Sequence, residues 1–241
     1  MTICISAKII KQDGTVVTRV ASDSEVSFGS KRLRGISMSA EKVVQFPGAS
    51  IAASGSGCVF EALDILKSDP KYYSSVQFNT RADIRNFAID LYSEVDSLID
   101  QSKISREEVS IGAILVTTKD TVWAIFQDLS IFSFDEWFCT GSGADTATGL
   151  MTFYYKRWNT LQEEDLEWIL TEVIKETCAI EQGCGEPVRI YSVLAPNPPV
   201  KVKTKKRKVL TETPSSDKLN QAEEGVSKSD KQSRPKRHRL P

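Results

Sequence analysis

The sequence predicts an α+β fold in which antiparallel β-sheets are covered by layers of helices. Three observations carry this. Apolar runs rich in β-branched residues come in pairs joined by short turns, as in hairpins. Helical periodicity is confined to two groups of segments. Strands and helices do not alternate one by one, which argues against a doubly wound parallel sheet.

The elements follow in order. Ile3–Ile10 and Val16–Ala21 flank Asp13-Gly14 and read as a hairpin. Lys42–Phe46 and Ser50–Ala53 flank Pro47-Gly48 and read as two further short strands. Ser54-Gly55-Ser56-Gly57 then leads into a helix over Cys58–Leu66. Thr80-Arg-Ala-Asp83 has the form of a capping box with Asp in place of Glu. Ile84, Phe87, Leu91, Val95 and Leu98 follow at helical spacing and give that helix one core-facing stripe. Strands are expected over Ile111–Thr117, Thr121–Phe126 and Ile131–Cys139, with Lys119-Asp120 turning between the first two. Gly141-Ser142-Gly143 precedes a helix from Ala144 to Arg157. Thr160-Leu-Gln-Glu163 reads as the capping box of a helix running to Ile180. Gly183-Cys184-Gly185 and a strand over Val188–Leu194 close the body. Neither Gly55-x-Gly57 nor Gly141-x-Gly143 completes a dinucleotide-binding fingerprint.

Composition narrows the chemistry. The single histidine of the 241 residues is His238, inside a polar C-terminal stretch. The folded body therefore has no imidazole for a Ser-His-Asp or Cys-His arrangement or for a histidine-ligated metal. Its base must be a lysine, a carboxylate or a free α-amino group, and an α-amino group with a pKa near ~8 suits neutral pH. The five cysteines are scattered and form no C-x-x-C pair, so neither a disulfide framework nor a zinc site is expected. No cofactor is called for. No apolar run reaches the ~20 residues of a membrane span, and no secretory signal is read, so a cytoplasmic protein is expected.

Charge divides the chain in two. Residues 196–241 carry 13 Lys/Arg against 5 Asp/Glu, a net +8, leaving −9 for residues 1–195. The change falls at Ala195-Pro196-Asn197-Pro198-Pro199, a breaker of helix and sheet. A folded domain over 1–195 and a disordered basic tail over 196–241 are expected. The tail's clusters, Lys201–Lys208 and Arg234–Arg239, fit nucleic acid, an acidic partner or nuclear import in a eukaryotic cell. They fit a merely solubilising tail as well. No aromatic residue interleaves with them, so contact with nucleic acid would be phosphate-driven.

Met-Thr-Ile-Cys-Ile at the start, Ala21-Ser22-Asp23-Ser24, Glu41-Lys42-Val43, Ala53-Ser54-Gly55 and Gly141-Ser142-Gly143 stand in a telling order. Over residues 2–194 that order resembles the proteasome β-subunits and related bacterial proteasome-like proteins, which are N-terminal-nucleophile hydrolases. The resemblance implies a four-layer αββα sandwich. It implies Thr2 as nucleophile once Met1 is removed, with Asp23 and Lys42 beside it. It also implies Gly55 as the backbone oxyanion donor and Ser142 as a proton relay or anchor for the α-amino group. Where the family often has Asp-x-x-Ser-Gly near the last helix, this chain has Glu181-Gln-Gly-Cys184-Gly185, which places Glu181 and Cys184 at those positions. The first hairpin and the segment from Glu25 to Ala40 are longer than the family's.

The residue types suit the chemistry. A lysine cation favours the threonine alkoxide, and an aspartate holds the lysine in place. A glycine N–H at a helix start donates to an oxyanion with no side chain in the way. Each residue also has a plainer reading: Lys42 as a solvated lysine, Asp23 as a strand-end cap, the glycines as steric necessities. The resemblance further implies a polypeptide substrate, homo-oligomers such as rings or stacked rings, and an unfolding ATPase as partner. Three functions stand open: a threonine-dependent peptidase or amidase, an inactive structural subunit of the same fold, and a binding module acting through the tail.

Overall fold

A computed structural model of the chain describes residues 2–28, 31–33, 41–103, 105–157, 161–181 and 184–196. All lie in the first of two units, Met1–Val200 and Lys201–Pro241. Both basic clusters, Thr160, Gly183 and much of the Glu25–Ala40 segment lie outside the described residues.

The described part is α+β, with two larger antiparallel sheets and helices packed on them. The first sheet has the order β10-β1-β2-β11 (Trp137–Gly141, Ile3–Ile10, Val16–Ser22, Arg189–Tyr191). The second runs β5-β6-β7-β8-β9 (Val43–Phe46, Ala49–Ala52, Ile114–Thr118, Val122–Ile125, Ile131–Phe134). A small hairpin pairs β3 (Val26–Phe28) with β4 (Lys31–Leu33). The helices are α1 (Gly57–Ser68), α2 (Pro70–Ser75), α3 (Arg81–Ser102), α4 (Ala144–Lys156) and α5 (Glu163–Ile180).

Period-two alternation explains how the layers stack. Along β1, Ile3, Ile5, Ala7 and Ile9 join α4 and α5 residues such as Met151, Leu166 and Leu170 in one core. The alternate residue Cys4 joins Val20, Val43, Ala52, Leu115 and Ala124 in a second core contributed by both sheets. Two hydroxyl contacts also cross between the sheets: Thr117 Oγ1 to Ser6 Oγ at 2.7 Å and Thr18 Oγ1 to the Thr118 carbonyl at 2.7 Å. On the far side, Val44, Phe46, Ile51, Ile114 and Val116 pack against Leu63, Phe87 and Leu91 of α1 and α3. This is compatible with the expected sandwich. With both sheet faces covered, β1 reads as a nearly continuous apolar run.

Several expectations need correction. The strand expected over Ile131–Cys139 is two strands in different sheets. It breaks at Asp135-Glu136, where the Lys8 N–H bonds the Glu136 carbonyl at 2.6 Å. β9 then stays with β8 while β10 pairs with β1. An unexpected short helix, α2, starts at Asp69-Pro70. Asp69 caps it by accepting from Lys71 N at 2.8 Å, and proline at the first helical position costs no hydrogen bond. The Thr80–Asp83 capping box is present, with Asp83 N to Thr80 Oγ1 at 3.1 Å and Thr80 N to Asp83 Oδ2 at 2.9 Å. At the start of α5, Gln162 N donates to Asp165 Oδ2 at 2.8 Å, while Thr160 of the expected box lies outside the described residues. The last strand is only Arg189–Tyr191. Among the described residues, no helix is long and apolar enough to cross a membrane.

Candidate active site

The site forms where β1 begins. As an inner strand, β1 has its start held on both sides: Ile3 pairs with Gly141 of β10, and Cys4 with Ser22 of β2. Thr2 is 9% exposed. Its nitrogen donates to Ser142 Oγ at 3.2 Å, and its carbonyl accepts from Gly143 N at 3.4 Å. The close fit requires glycine at 141. There φ is +106°, and a Cβ would lie 2.1 Å from the Thr2 carbonyl oxygen.

Asp23 follows directly on β2 and is fully buried. Its Oδ1 accepts from Ile3 N at 2.9 Å and from Lys42 Nζ at 2.6 Å. Its Oδ2 accepts from Gly185 N at 3.1 Å and from Glu25 N at 3.3 Å. Lys42 precedes β5 and is 4% exposed. One carboxylate therefore ties the amide after Thr2 to a buried ammonium and to the backbone at 185. The longer first hairpin does not separate Thr2 from Lys42.

Gly55 sits just ahead of α1, with φ +124°, and bridges to Ile111. The bridge's two hydrogen bonds run from Ser56 N to the Ser110 carbonyl and from Gly112 N to the Ser54 carbonyl. They leave the Gly55 N–H unused, and no other hydrogen bond among the described residues takes it. A Cβ on Gly55 would lie 2.2 Å from the Ser110 oxygen, so the steric reading of this glycine holds as well. Thr2 and Ser142 border a cleft of about 460 Å³ whose described lining includes Ser54, Gly55, Ser56 and Ser110. Every described lining residue is Gly, Ser or Thr.

Glu181 and Cys184 stand apart from this arrangement in different degrees. Glu181 ends α5 and accepts from Thr146 Oγ1 of α4 at 2.5 Å, a contact between helices. Cys184 is 1% exposed, and its Sγ lies 3.2 Å from where a Cβ on Gly143 would be. Burial pushes its thiol up to about 11; the Asp23 carboxylate adds to this and the Lys42 ammonium opposes it. It is a neutral thiol at ordinary pH and a poor nucleophile.

Sequence reasoning missed Ser54, Ser56, Ser110 and Thr140. Ser54 is buried, with its Oγ 2.9 Å from Thr140 Oγ1, which donates to the Ala113 carbonyl at 2.9 Å. Only the position of Ser54 and Ser56 around Gly55 hinted at a role. Among the described residues, no group of three or more His, Cys, Asp or Glu could hold a metal ion.

No family model and no curated protein sequence matches the chain. Many solved structures resemble it in fold, among them two of Thiobacillus denitrificans BPH. Thiobacillus denitrificans BPH is 17% identical with a TM-score of 0.59, covering 78% of this chain and 96% of its own. Thiobacillus denitrificans BPH in complex with epoxomicin is 18% identical with a TM-score of 0.60, covering 80% and 100%. At these identities the likeness is one of architecture, and the described body has a proteasome-like fold.

Proposed function

We propose that this chain is a threonine-dependent peptidase or amidase of the N-terminal-nucleophile type. In this reading Met1 is removed and the freed Thr2 nitrogen becomes an α-amine resting on Ser142. That amine takes the Thr2 hydroxyl proton as the oxygen attacks a peptide carbonyl. Lys42, held by Asp23, favours the developing alkoxide, and the Gly55 N–H donates to the oxyanion, a contact worth about 3 kcal/mol. The amine then returns the proton to the leaving nitrogen, and water hydrolyses the ester. The observation that carries the reading is the shared Asp23 oxygen, which joins the amide next to Thr2 to a buried lysine.

The test has two parts. Intact mass should show Met1 absent. A peptide epoxyketone such as epoxomicin, bound by the neighbour of similar fold, should add covalently to the wild type and not to Thr2→Ala. Retained Met1, or equal labelling of both proteins, overturns the reading. The remaining site residues, Glu181 and Cys184, act here as support: Glu181 anchors α4 to α5, and Cys184 packs beneath Gly143.

A second reading, an inactive structural subunit, is favoured by the hydrogen bond that engages Glu181 with Thr146. It predicts no epoxyketone adduct with oligomers preserved. In either reading the chain assembles with copies of itself, and light scattering should give a multiple of the 26.8 kDa chain mass. A polypeptide substrate and a partner ATPase belong to the active reading. The basic tail gives a third, in which truncation after Ala195 abolishes binding to nucleic acid or an acidic partner.

A further inference from the structure

We infer that Ser54 and Thr140 are positioning residues, a buried strut that sets where the Gly55 N–H stands relative to Thr2. The inference rests on the threonine-nucleophile reading and gives work to two residues which that reading leaves idle. Neither side chain meets the substrate. Each acts through the residue that follows it.

Their places in the chain carry the argument. Ser54 directly precedes Gly55, the oxyanion donor, just beyond the β6 strand of the second sheet. Thr140 directly precedes Gly141, which pairs with Ile3 and lies against the Thr2 carbonyl in the first sheet. Both side chains are buried, and their hydroxyl oxygens are 2.9 Å apart. Thr140 Oγ1 gives its one hydrogen to the Ala113 carbonyl at 2.9 Å, so Ser54 is the donor in the contact they share. The result is a directed chain from Ser54 to Thr140 to Ala113. Ser54 is also held by the backbone at Gly112. Its carbonyl accepts from Gly112 N at 3.0 Å, and a Cβ on Gly112 would lie 2.0 Å from Ser54 Oγ.

The reaction gives such a strut a purpose. The nucleophile comes from one sheet and the oxyanion donor from the other. Apolar packing between the sheets is non-directional, whereas a hydrogen bond prescribes both distance and angle. The other hydroxyl contacts between the sheets, Ser6 with Thr117 and Thr18 with Thr118, lie farther along the strands. Cys4 Sγ reaches the Ala53 carbonyl at 3.5 Å, but a thiol is a weak donor. Ser54 and Thr140 therefore make the strong polar tie between the two segments that border the cleft. An oxyanion donor must stand about 2.7–3.1 Å from the developing charge. A misplacement of ~1 Å costs up to ~100-fold in rate.

The experiment follows epoxomicin labelling by intact mass, well below the melting temperature of each variant, and separates the rate constant at saturation from the half-saturating concentration. Thr140→Val keeps the side chain's shape and removes its hydroxyl. It should lower the rate constant by ~10-fold or more and leave the half-saturating concentration near that of the wild type. Ser54→Ala should lower the rate constant severalfold. It leaves the Thr140–Ala113 bond in place, and so answers the question even where Thr140→Val fails to fold. Thr140→Ser restores the hydroxyl and should label at the wild-type rate. Thr117→Val breaks a different buried bond between the sheets, the one to Ser6; it should lose stability and keep the labelling rate. Wild-type rate constants in folded Thr140→Val or Ser54→Ala, or an equal slowing in Thr117→Val, overturn the strut while labelling of the wild type keeps the nucleophile reading. A wild type that takes no label overturns both.

Discussion

Replacing Asp23 with asparagine tests the centre of this structure more sharply than any other single change. The side chains have the same shape, so packing is preserved. The carboxylate takes two hydrogen bonds on each oxygen: Ile3 N and Lys42 Nζ on Oδ1, Gly185 N and Glu25 N on Oδ2. An amide has only one oxygen. Whichever way it is turned, its NH₂ faces two donors with no acceptor between them. Orphaning a buried donor costs about 1–3 kcal/mol. Removing the negative charge that lies 2.6 Å from the buried Lys42 ammonium costs about 3–5 kcal/mol. The terms overlap at Lys42 and do not add, so the expected loss is about 4–6 kcal/mol. In a protein of this size that lowers Tm by roughly 10–20 °C.

Urea and thermal unfolding followed by circular dichroism measure the loss. The double variant Asp23→Asn with Lys42→Met removes the buried cation as well and should recover about 2 kcal/mol or more over Asp23→Asn alone. A single variant within ~1 kcal/mol of the wild type, or a strictly additive double variant, refutes the four-donor carboxylate.

Three further predictions follow from the same geometry. Gly141→Ala forces a Cβ into a left-handed backbone and against the Thr2 carbonyl, so it should cost about 2–4 kcal/mol and abolish epoxyketone labelling even where the variant folds. Unfolding titrations on the folded variant, with labelling alongside, separate the two effects. Burial raises the Cys139 thiol from 9.0 to about 12 and the Cys184 thiol to about 11. The unfolded chain therefore loses those protons first, and stability should fall as pH rises from about 9 toward about 12; Cys139→Ala should flatten that decline, read by urea midpoints at each pH. Iodoacetamide at pH 8 should modify at most Cys58 and Cys178, the half-exposed thiols, in the native protein, and all five in guanidinium, as read by intact mass.

The elements most legible in the sequence are those whose signals are local. Asp13-Gly14 marks its hairpin because the turn needs a residue at positive φ, and Gly14 sits at +81°. Thr80 and Asp83 mark the start of α3 because capping is an exchange within one turn. The break at Asp135-Glu136 was not legible. β9 and β10 are both short runs bearing aromatic residues, and their assignment to different sheets depends on partners over a hundred residues away along β1. The site divides the same way. Thr2, Asp23 and Lys42 stand out only through the order of short motifs that resembles a family. Ser54 and Thr140 have no such signal. Their roles come from a contact between residues 86 positions apart, and serine and threonine are too common for spacing to single them out.

On the proposed reading, the topology gives a reason for a nucleophile at the second residue. Chain termini fray when nothing ties them down. Here the first strand lies inside its sheet, with β10 on one side and β2 on the other, so the strand that Thr2 leads into is held on both flanks, and Thr2 itself is tied to Ser142 and Gly143. A free amine at that point is positioned as firmly as any side chain on a strand. It can do the work that an imidazole does elsewhere, in a body that has none. The cost of the arrangement is that it serves only after Met1 leaves, since a peptide nitrogen is no base. Retaining Met1, by following it with a residue too large for aminopeptidase removal, should leave Asp23, Lys42 and the cleft in place and silence epoxyketone labelling. A Thr2→Leu variant changes the nucleophile as well, so the cleaner comparison blocks processing with an N-terminal fusion and then cuts the fusion away. Labelling that appears only after the cut is the expected result; labelling of the uncut fusion would refute the role of the amine.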